Sequence, residues 1–341
     1  MIFIKNIFNI CFVIIGTIIG AGFASGKEIY TFFCVYGTNG LFGILISNSI
    51  IGLVICLTFK IIIDNNIKTY SDFIKCLVGS NRILNYTINN IMNIFLLISF
   101  IVMVSGFGAY FNQEFNIPAI FGALIISVLA FFTFFKAIDG IVKINTFLIP
   151  ILIFLIILLG FKEGFSSFAI NSFPTTSGFS WILRSILYAS YNSIVLIPII
   201  INLQNLLSNK KQVKYVIGFT LFIMVLMSII IYGVLILNIS EIENIEIPIV
   251  FIANKFGIIY KYLYGLVILI AIFTTAISEG YSFLENVAKS KKQYFIYSIL
   301  ICFLSIAFSN IGFGKLLDLL YPLLGYLGLL QIGVLCLPHK E

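Results

Sequence analysis

The sequence predicts an all-α integral membrane protein of ten transmembrane helices, arranged as five plus five. Three observations predict it. Of 341 residues, 61% are hydrophobic and 10% charged, with a mean hydropathy of +1.14, a balance foreign to soluble domains of this size. The apolar residues gather into ten segments, at 7–35, 39–63, 85–108, 117–135, 141–161, 180–205, 213–238, 258–287, 293–309 and 315–337. Lys and Arg alternate between the links. With the N-terminus inside, 14 of the 20 fall on the cytoplasmic side and four outside (Lys162, Lys255, Lys261, Lys315), leaving Lys27 and Arg184 within segments. An even number of spans then places both termini in the cytoplasm. The net charge of +7 reports topology on this reading, and nucleic acid is not an expected partner.

The first segment holds the most unusual stretch. An apolar run from Ile7 to Ile15 leads into Gly16-Thr17-Ile18-Ile19-Gly20-Ala21-Gly22-Phe23-Ala24-Ser25-Gly26, then Lys27, Glu28 and a second run from Ile29 to Val35. Neither run alone reaches the roughly 20 residues that cross a bilayer, but together they do. Glycine weakens helices, and charge at membrane depth has to be paired or hydrated. Non-helical backbone is tolerated there only where protein or a water-filled cavity surrounds it. A broken helix facing a site is one reading. A small-residue packing face is the other, because Gly16-x-x-x-Gly20 and Gly22-x-x-x-Gly26 both fit it. The N-terminus shows no small-residue cleavage site, so a retained first helix is expected in place of a signal peptide.

Segments two to five are plainer. In link 64–84, Tyr70 to Leu77 is amphipathic and is expected to lie along the membrane surface. Asn89, Asn90 and Asn93 in segment three suit interhelical hydrogen bonds, and Lys143 suits an inside anchor. Segment six opens a second half, giving repeats at about 7–161 and 180–338 within one domain spanning 1–341. Its middle, Tyr188-Ala189-Ser190-Tyr191-Asn192-Ser193, is the most polar intramembrane run of that half. Ser and Asn loosen helices by bonding to nearby backbone. Interrupted helices at corresponding places in two halves are the best sequence pointer to a transport site.

Link 239–257 carries Glu241, Glu243, Glu246 and Pro248 ahead of the apolar run Ile249 to Ile252. That pattern predicts a loop with a short helix folded back over the protein. In segment eight, Ala271, Thr274, Thr275 and Ser278 share one helix face at i, i+3, i+4 and i+7. Glu279 follows, an intramembrane carboxylate and so a functional candidate. It is open to a proton-relay role, pairing with Lys27, or hydration near Lys289. The six cysteines show no metal or redox spacing, and the one histidine, His339, lies in the C-terminal tail. No nucleophile–base set, metal cluster or phosphate loop emerges, so enzymatic function is not expected.

The run Ile19-Gly20-Ala21-Gly22-Phe23-Ala24-Ser25-Gly26-Lys27-Glu28-Ile29, with Phe32-Phe33 and Tyr36-Gly37 after it, resembles the first helix of the YkvI-type bacterial membrane proteins. That family in turn resembles the amino acid–polyamine–organocation (APC) superfamily, whose fold is LeuT-type. Tyr188 to Asn192 resembles the family's sixth helix. The resemblance implies helices one and six broken at the bilayer midplane and a bacterial plasma-membrane location. Free carbonyls at Gly16 and Ile19 would face a sodium ion, completed by the Ala271 carbonyl and the Thr274 and Thr275 hydroxyls. The alternative for those threonines is bonding back to the preceding turn. The N–H groups of the Gly20–Ser25 stretch (Gly20, Ala21, Gly22, Phe23, Ala24 and Ser25), chiefly those around Ala21, Gly22 and Phe23, would hold a substrate carboxylate. Tyr188, Ser190, Tyr191 and Asn192 would contact its body, with Phe23 as an aromatic wall.

In proton-coupled relatives a lysine on helix five replaces the ion. Here that place falls near Pro150, so the substitution is absent. A second sodium site uses an Asn where this chain has Phe23, so one sodium at most is expected, and no other cofactor. Lys27 and Glu28 are expected to line an outer vestibule and Arg184 an outer gate. The resemblance thus implies a secondary transporter of a small amino acid or related zwitterion, with sodium symport by alternating access. A germinant-sensing receptor of the same fold is an alternative, as is a proton-coupled, osmolyte or nucleobase carrier, or a channel. The lipid bilayer and a small-molecule substrate are the expected partners; the oligomeric state is left open.

Overall fold

Runs of Ile, Leu and Phe punctuated by Gly, Pro and short polar links fold into helices, and no strand occurs among the described residues. The computed structural model describes residues 2–79, 82–135, 139–164, 178–204 and 210–336. Lys136, His339, Lys340 and most of link 162–179 lie outside them, as do the side chains of Lys5, Lys143, Lys210 and Lys211.

The helices are α1 (Ile2–Ile18), α2 (Ala21–Ala24), α3 (Lys27–Phe32), α4 (Thr38–Asp64), α5 (Tyr70–Val78), α6 (Arg82–Phe115), α7 (Ala119–Phe134) and α8 (Asp139–Glu163). They continue as α9 (Ser180–Leu203), α10 (Lys210–Leu237), α11 (Ile239–Ile242), α12 (Pro248–Lys255), α13 (Ile258–Val287), α14 (Lys291–Phe308) and α15 (Phe313–Cys336). Seven helices among the described residues are long and apolar enough to cross a membrane: α4, α6, α9, α10, α13, α14 with the turn after it, and α15. Shorter apolar helices cover Asn6–Ile18 and Ala119–Phe134. This is a multi-pass membrane protein.

Its centre is lined by α9, which packs most heavily on α15 and α4, and by α13, which packs on α6 and α8. Exposed side chains on α7 and α14, such as Phe121, Phe132, Phe295 and Phe303, face outward, where lipid supplies the apolar surroundings. The amphipathic stretch in link 64–84 is α5, with the Thr69 hydroxyl accepting from the Asp72 amide at its start. Asn93 accepts an interhelical bond from Asn286 at 3.1 Å.

Link 239–257 folds back as expected, as α11 and α12, with Ile249, Val250 and Ile252 fully buried. Gln113 of α6 pins it by two bonds to the backbone of Ile247, at 2.9 and 3.2 Å. Within it Lys255 pairs with Glu241 at 2.7 Å, and the same ammonium donates to Asn238 just before the link at 2.6 Å.

One expectation is corrected. Helix six is not broken: α9 runs without interruption from Ser180 to Leu203. The polar run is absorbed by back-bonding within the helix. Ser190 Oγ donates to the Ile186 carbonyl (2.7 Å), Asn192 Nδ2 to Tyr188 (2.9 Å) and Ser193 Oγ to Ala189 (2.7 Å). Such bonds satisfy the polar groups without releasing the backbone, and no glycine in the run relaxes φ.

Candidate functional site

The site begins where helix one stops being a helix. α1 ends at Ile18, Gly20 is extended (φ −79°, ψ −170°), and α2 starts at Ala21. By helix geometry the last carbonyls of α1 and the first N–H groups of α2 have no intrahelical partner. A second turn follows at Gly26, whose φ of +82° is the left-handed conformation that glycine adopts most readily. Ser25 secures that turn: its hydroxyl donates to the Gly22 carbonyl (2.7 Å) and accepts from the Lys27 amide (3.2 Å). The Ile249 amide of α12 donates to the Ser25 carbonyl at 3.2 Å, and Tyr264 of α13 donates to the Ala24 carbonyl at 3.2 Å. The folded-back link therefore straps the break in place.

Two successive turns re-aim α3, so Glu28 points inward and only 5% of it is exposed. Its carboxylate lies over Gly22, in the space where any β-carbon at that position would be. Tyr191 of α9 donates to Glu28 Oε2 at 2.5 Å. Beside this pair is a cavity of about 50 Å³, walled by the break (Gly20, Ala21, Gly22), by α6 (Ser99, Met103), by Asn192 of α9, by Thr275 and Glu279 of α13, and by Tyr321 of α15. Ser99 donates to Glu279 Oε1 at 2.7 Å; Glu279 Oε2 is shielded from solvent and accepts no bond among the described residues. No lining side chain among the described residues is cationic. Two carboxylates held away from water without a protein counter-charge call for a cation or a proton.

Aromatic rings close one end. Tyr191 packs on Tyr321 with ring centroids 4.9 Å apart and on Phe32 at 5.6 Å, while Tyr188 packs on Phe33 at 5.0 Å. Above them Thr31 donates to Asp318 at 2.6 Å, tying α3 to α15.

The structure brings together Gly20, Ala21, Gly22, Tyr191, Asn192, Thr275, Glu28 and Glu279 of the sequence-predicted set. Phe23 and Ala24 are fully buried but do not line the cavity, Ser25 serves the turn, and Tyr188 belongs to the aromatic cluster. Ser190 is spent on α9 itself, where the backbone abuts Gly328 of α15. Gly16 packs against Ile149 of α8; Ile19 and Ala271 are buried, and the Thr274 hydroxyl bonds to the Ala271 carbonyl at 3.2 Å. Arg184 sits toward the start of α9 with Nη1 buried and without a partner among the described residues.

One placement differs from expectation: Glu28 lines the cavity and not a vestibule, because the Gly26 turn rotates it inward. Lys27 points the other way, donating to the Ile245 carbonyl of the folded-back link at 3.3 Å and lying over the Tyr30 ring at 5.0 Å. Of the roles open to Glu279, pairing with Lys27 is not the one seen; Ser99 donates to it. Sequence reasoning missed Ser99 and Tyr321. Ser99 is one hydroxyl in an apolar run, with no local signal. Tyr321 stands before Pro322 in mid-segment, which was a usable hint.

An interrupted helix beside a multi-walled cavity, in a multi-pass membrane protein, fits the LeuT-type fold of the resemblance, and solved structures share the chain's fold. The inward-facing conformation of Mhp1 matches with a TM-score of 0.62 at 14% identity, covering 94% of this chain and 72% of that one. A variant of the manganese transporter of Eremococcus coleocola matches with a TM-score of 0.55 at 12% identity, over 87% and 69%. The chain belongs to the YkvI family of membrane proteins: it is 30% identical to YkvI of Bacillus subtilis (strain 168) over 96% of its own length and 94% of the relative's. YyaD of the same organism is 24% identical over 95% and 94%. No family model matches the chain.

Proposed function

We propose that the chain is a secondary transporter that moves a small amino acid or related zwitterion by alternating access. The observation that carries this reading is the cavity where helix one is interrupted, walled by α2, α6, α9, α13 and α15. Similarity in fold to Mhp1 and to a manganese transporter supports it. The ten segments would form two five-helix repeats of opposite orientation, with both termini cytoplasmic in the bacterial plasma membrane, as the Lys and Arg distribution supports.

Coupling has two candidates. The sodium reading uses carbonyls of Gly16, Ile19 and Ala271 with the Thr274 and Thr275 hydroxyls, hard oxygen ligands of a kind that suits that ion. A proton reading has its own support: Glu28 and Glu279 share a cavity with no lining cation among the described residues. Uptake into proteoliposomes, driven in turn by a sodium gradient and by a pH gradient, separates them. Accumulation under either gradient supports the transporter; substrate binding without accumulation under both overturns it in favour of a receptor.

A further inference from the structure

We infer that the cavity receives the ammonium group of a small organic cation that has no carboxylate of its own, held between Glu28 and Glu279. The inference rests on the transport reading above and departs from its substrate class: the cargo keeps the amine and lacks the carboxylate.

The first argument is occupancy. A zwitterion bound in the expected manner would set its carboxylate on the N–H groups at Ala21 and Gly22. Glu28 already fills the space over Gly22 with a carboxylate of the protein, anchored by Tyr191 at 2.5 Å. A second carboxylate brought there would meet a like charge at contact distance, where little water screens it.

The second is a census of donors and acceptors. The donors on the wall are largely spent: Tyr191 on Glu28, Ser99 on Glu279, Asn192 Nδ2 on the Tyr188 carbonyl and Thr17 on the Val13 carbonyl. The hydroxyls of Thr275 and Tyr321 turn either way. Among the side chains, what remains is acceptor capacity. Glu279 Oε2 is buried and unpaired among the described residues. A carboxylate accepts about four bonds, and Glu28 and Glu279 each take one from the protein. An ammonium group, with three donors and no acceptor, complements such a wall, and a carboxylate does not.

Size sets the third limit. A cavity of about 50 Å³ holds a few water-sized groups, so it fits an ammonium with a short carbon stub.

The test is a thermal-shift titration of the full-length protein in detergent with methylammonium and ethylammonium chloride, against glycine and alanine at matched ionic strength. We expect the two amines to raise the melting temperature in a saturable way and the amino acids to leave it unchanged. Glu28→Gln, which keeps the side-chain shape, should weaken amine binding by about tenfold or more, the scale of losing one charge-assisted bond. Stabilisation by glycine or alanine but not by the amines overturns the inference, as does silence with all four. Equal amine affinity in wild type and Glu28→Gln also overturns it. Flux read separately in proteoliposomes keeps the two proposals apart. Amine binding without amine uptake defeats the transport reading alone, and uptake of alanine without amine binding defeats this one alone.

Discussion

Helix one and helix six carry the two most polar intramembrane stretches of their halves, yet one breaks and the other does not. At Gly20–Gly26 the chain leaves the helix twice, and at Tyr188–Ser193 it stays helical throughout. The difference lies in where the polarity resides. In the first stretch it is backbone: the chain is extended at Gly20 and left-handed at Gly26, a φ that glycine adopts most readily, and the freed groups turn toward a cavity and a folded-back strap. In the second it is side chain, and Ser190, Asn192 and Ser193 return their donors to carbonyls one turn back. Polar side chains inside a membrane do not by themselves break a helix; residues that change φ do.

The sharpest way to break this contrast is Gly22→Leu. A β-carbon there overlaps the Glu28 carboxylate, and the longer side chain would enter the cavity. Substrate binding and transport should be lost altogether while the protein still reaches the membrane. Normal uptake by this variant would mean that the break is a packing face and not a site. Next in size is Gly26→Ala. A left-handed alanine costs about 1–2 kcal/mol, and its methyl would press on Ile249, whose Cγ1 lies 2.7 Å from the ideal β-carbon. A clear drop in melting temperature is expected. No drop would remove the strap from the account of the break.

Tyr191→Phe and Ser25→Ala sharpen the comparison from each side. Tyr191→Phe keeps the ring stacked on Tyr321 and deletes the 2.5 Å bond to Glu28. Loss of a hydrogen bond to a charged group is worth about 1.5–3 kcal/mol, so substrate affinity should fall by roughly tenfold or more with little change in folding. Ser25→Ala should instead cost about 1 kcal/mol of stability, as loss of a helix-capping hydroxyl does. Binding measurements and melting curves on the two variants should therefore move in opposite proportion.

Much of this was legible in the sequence, for reasons the same residues make plain. The spans were readable because the bilayer demands long apolar runs; the interruption at Gly20 was one of two readings, because four glycines in eleven residues suit a packing face as well as a break. The folded-back link was readable from Pro248 ahead of Ile249 to Ile252. The site itself was half legible. Gly20, Ala21, Gly22, Tyr191 and Asn192 share the cavity, but the direction of Glu28 depends on the φ of one residue, Gly26, and no sequence pattern fixes that. Ser99 and Tyr321 come from segments whose relation to helix one is purely tertiary. Continuity of α9 was misjudged because a run of Ser and Asn reads the same whether its donors leave the helix or fold back onto it.

Ser190→Ala is the smallest expected effect and bears most directly on the contrast. The Ser190 hydroxyl is bonded to the Ile186 carbonyl at 2.7 Å, is buried, and is absent from the cavity wall. Back-bonded hydroxyls inside helices contribute little or slightly destabilise, so both melting temperature and uptake should stay within about 0.5 kcal/mol of wild type. Asn192→Ala, one face over and on the cavity wall, should lower affinity under the same conditions. If Ser190→Ala abolishes uptake while leaving binding intact, then α9 opens at that turn during transport. The uninterrupted helix would in that case be one state of an element that breaks in another, and the two halves would differ in timing, not in kind.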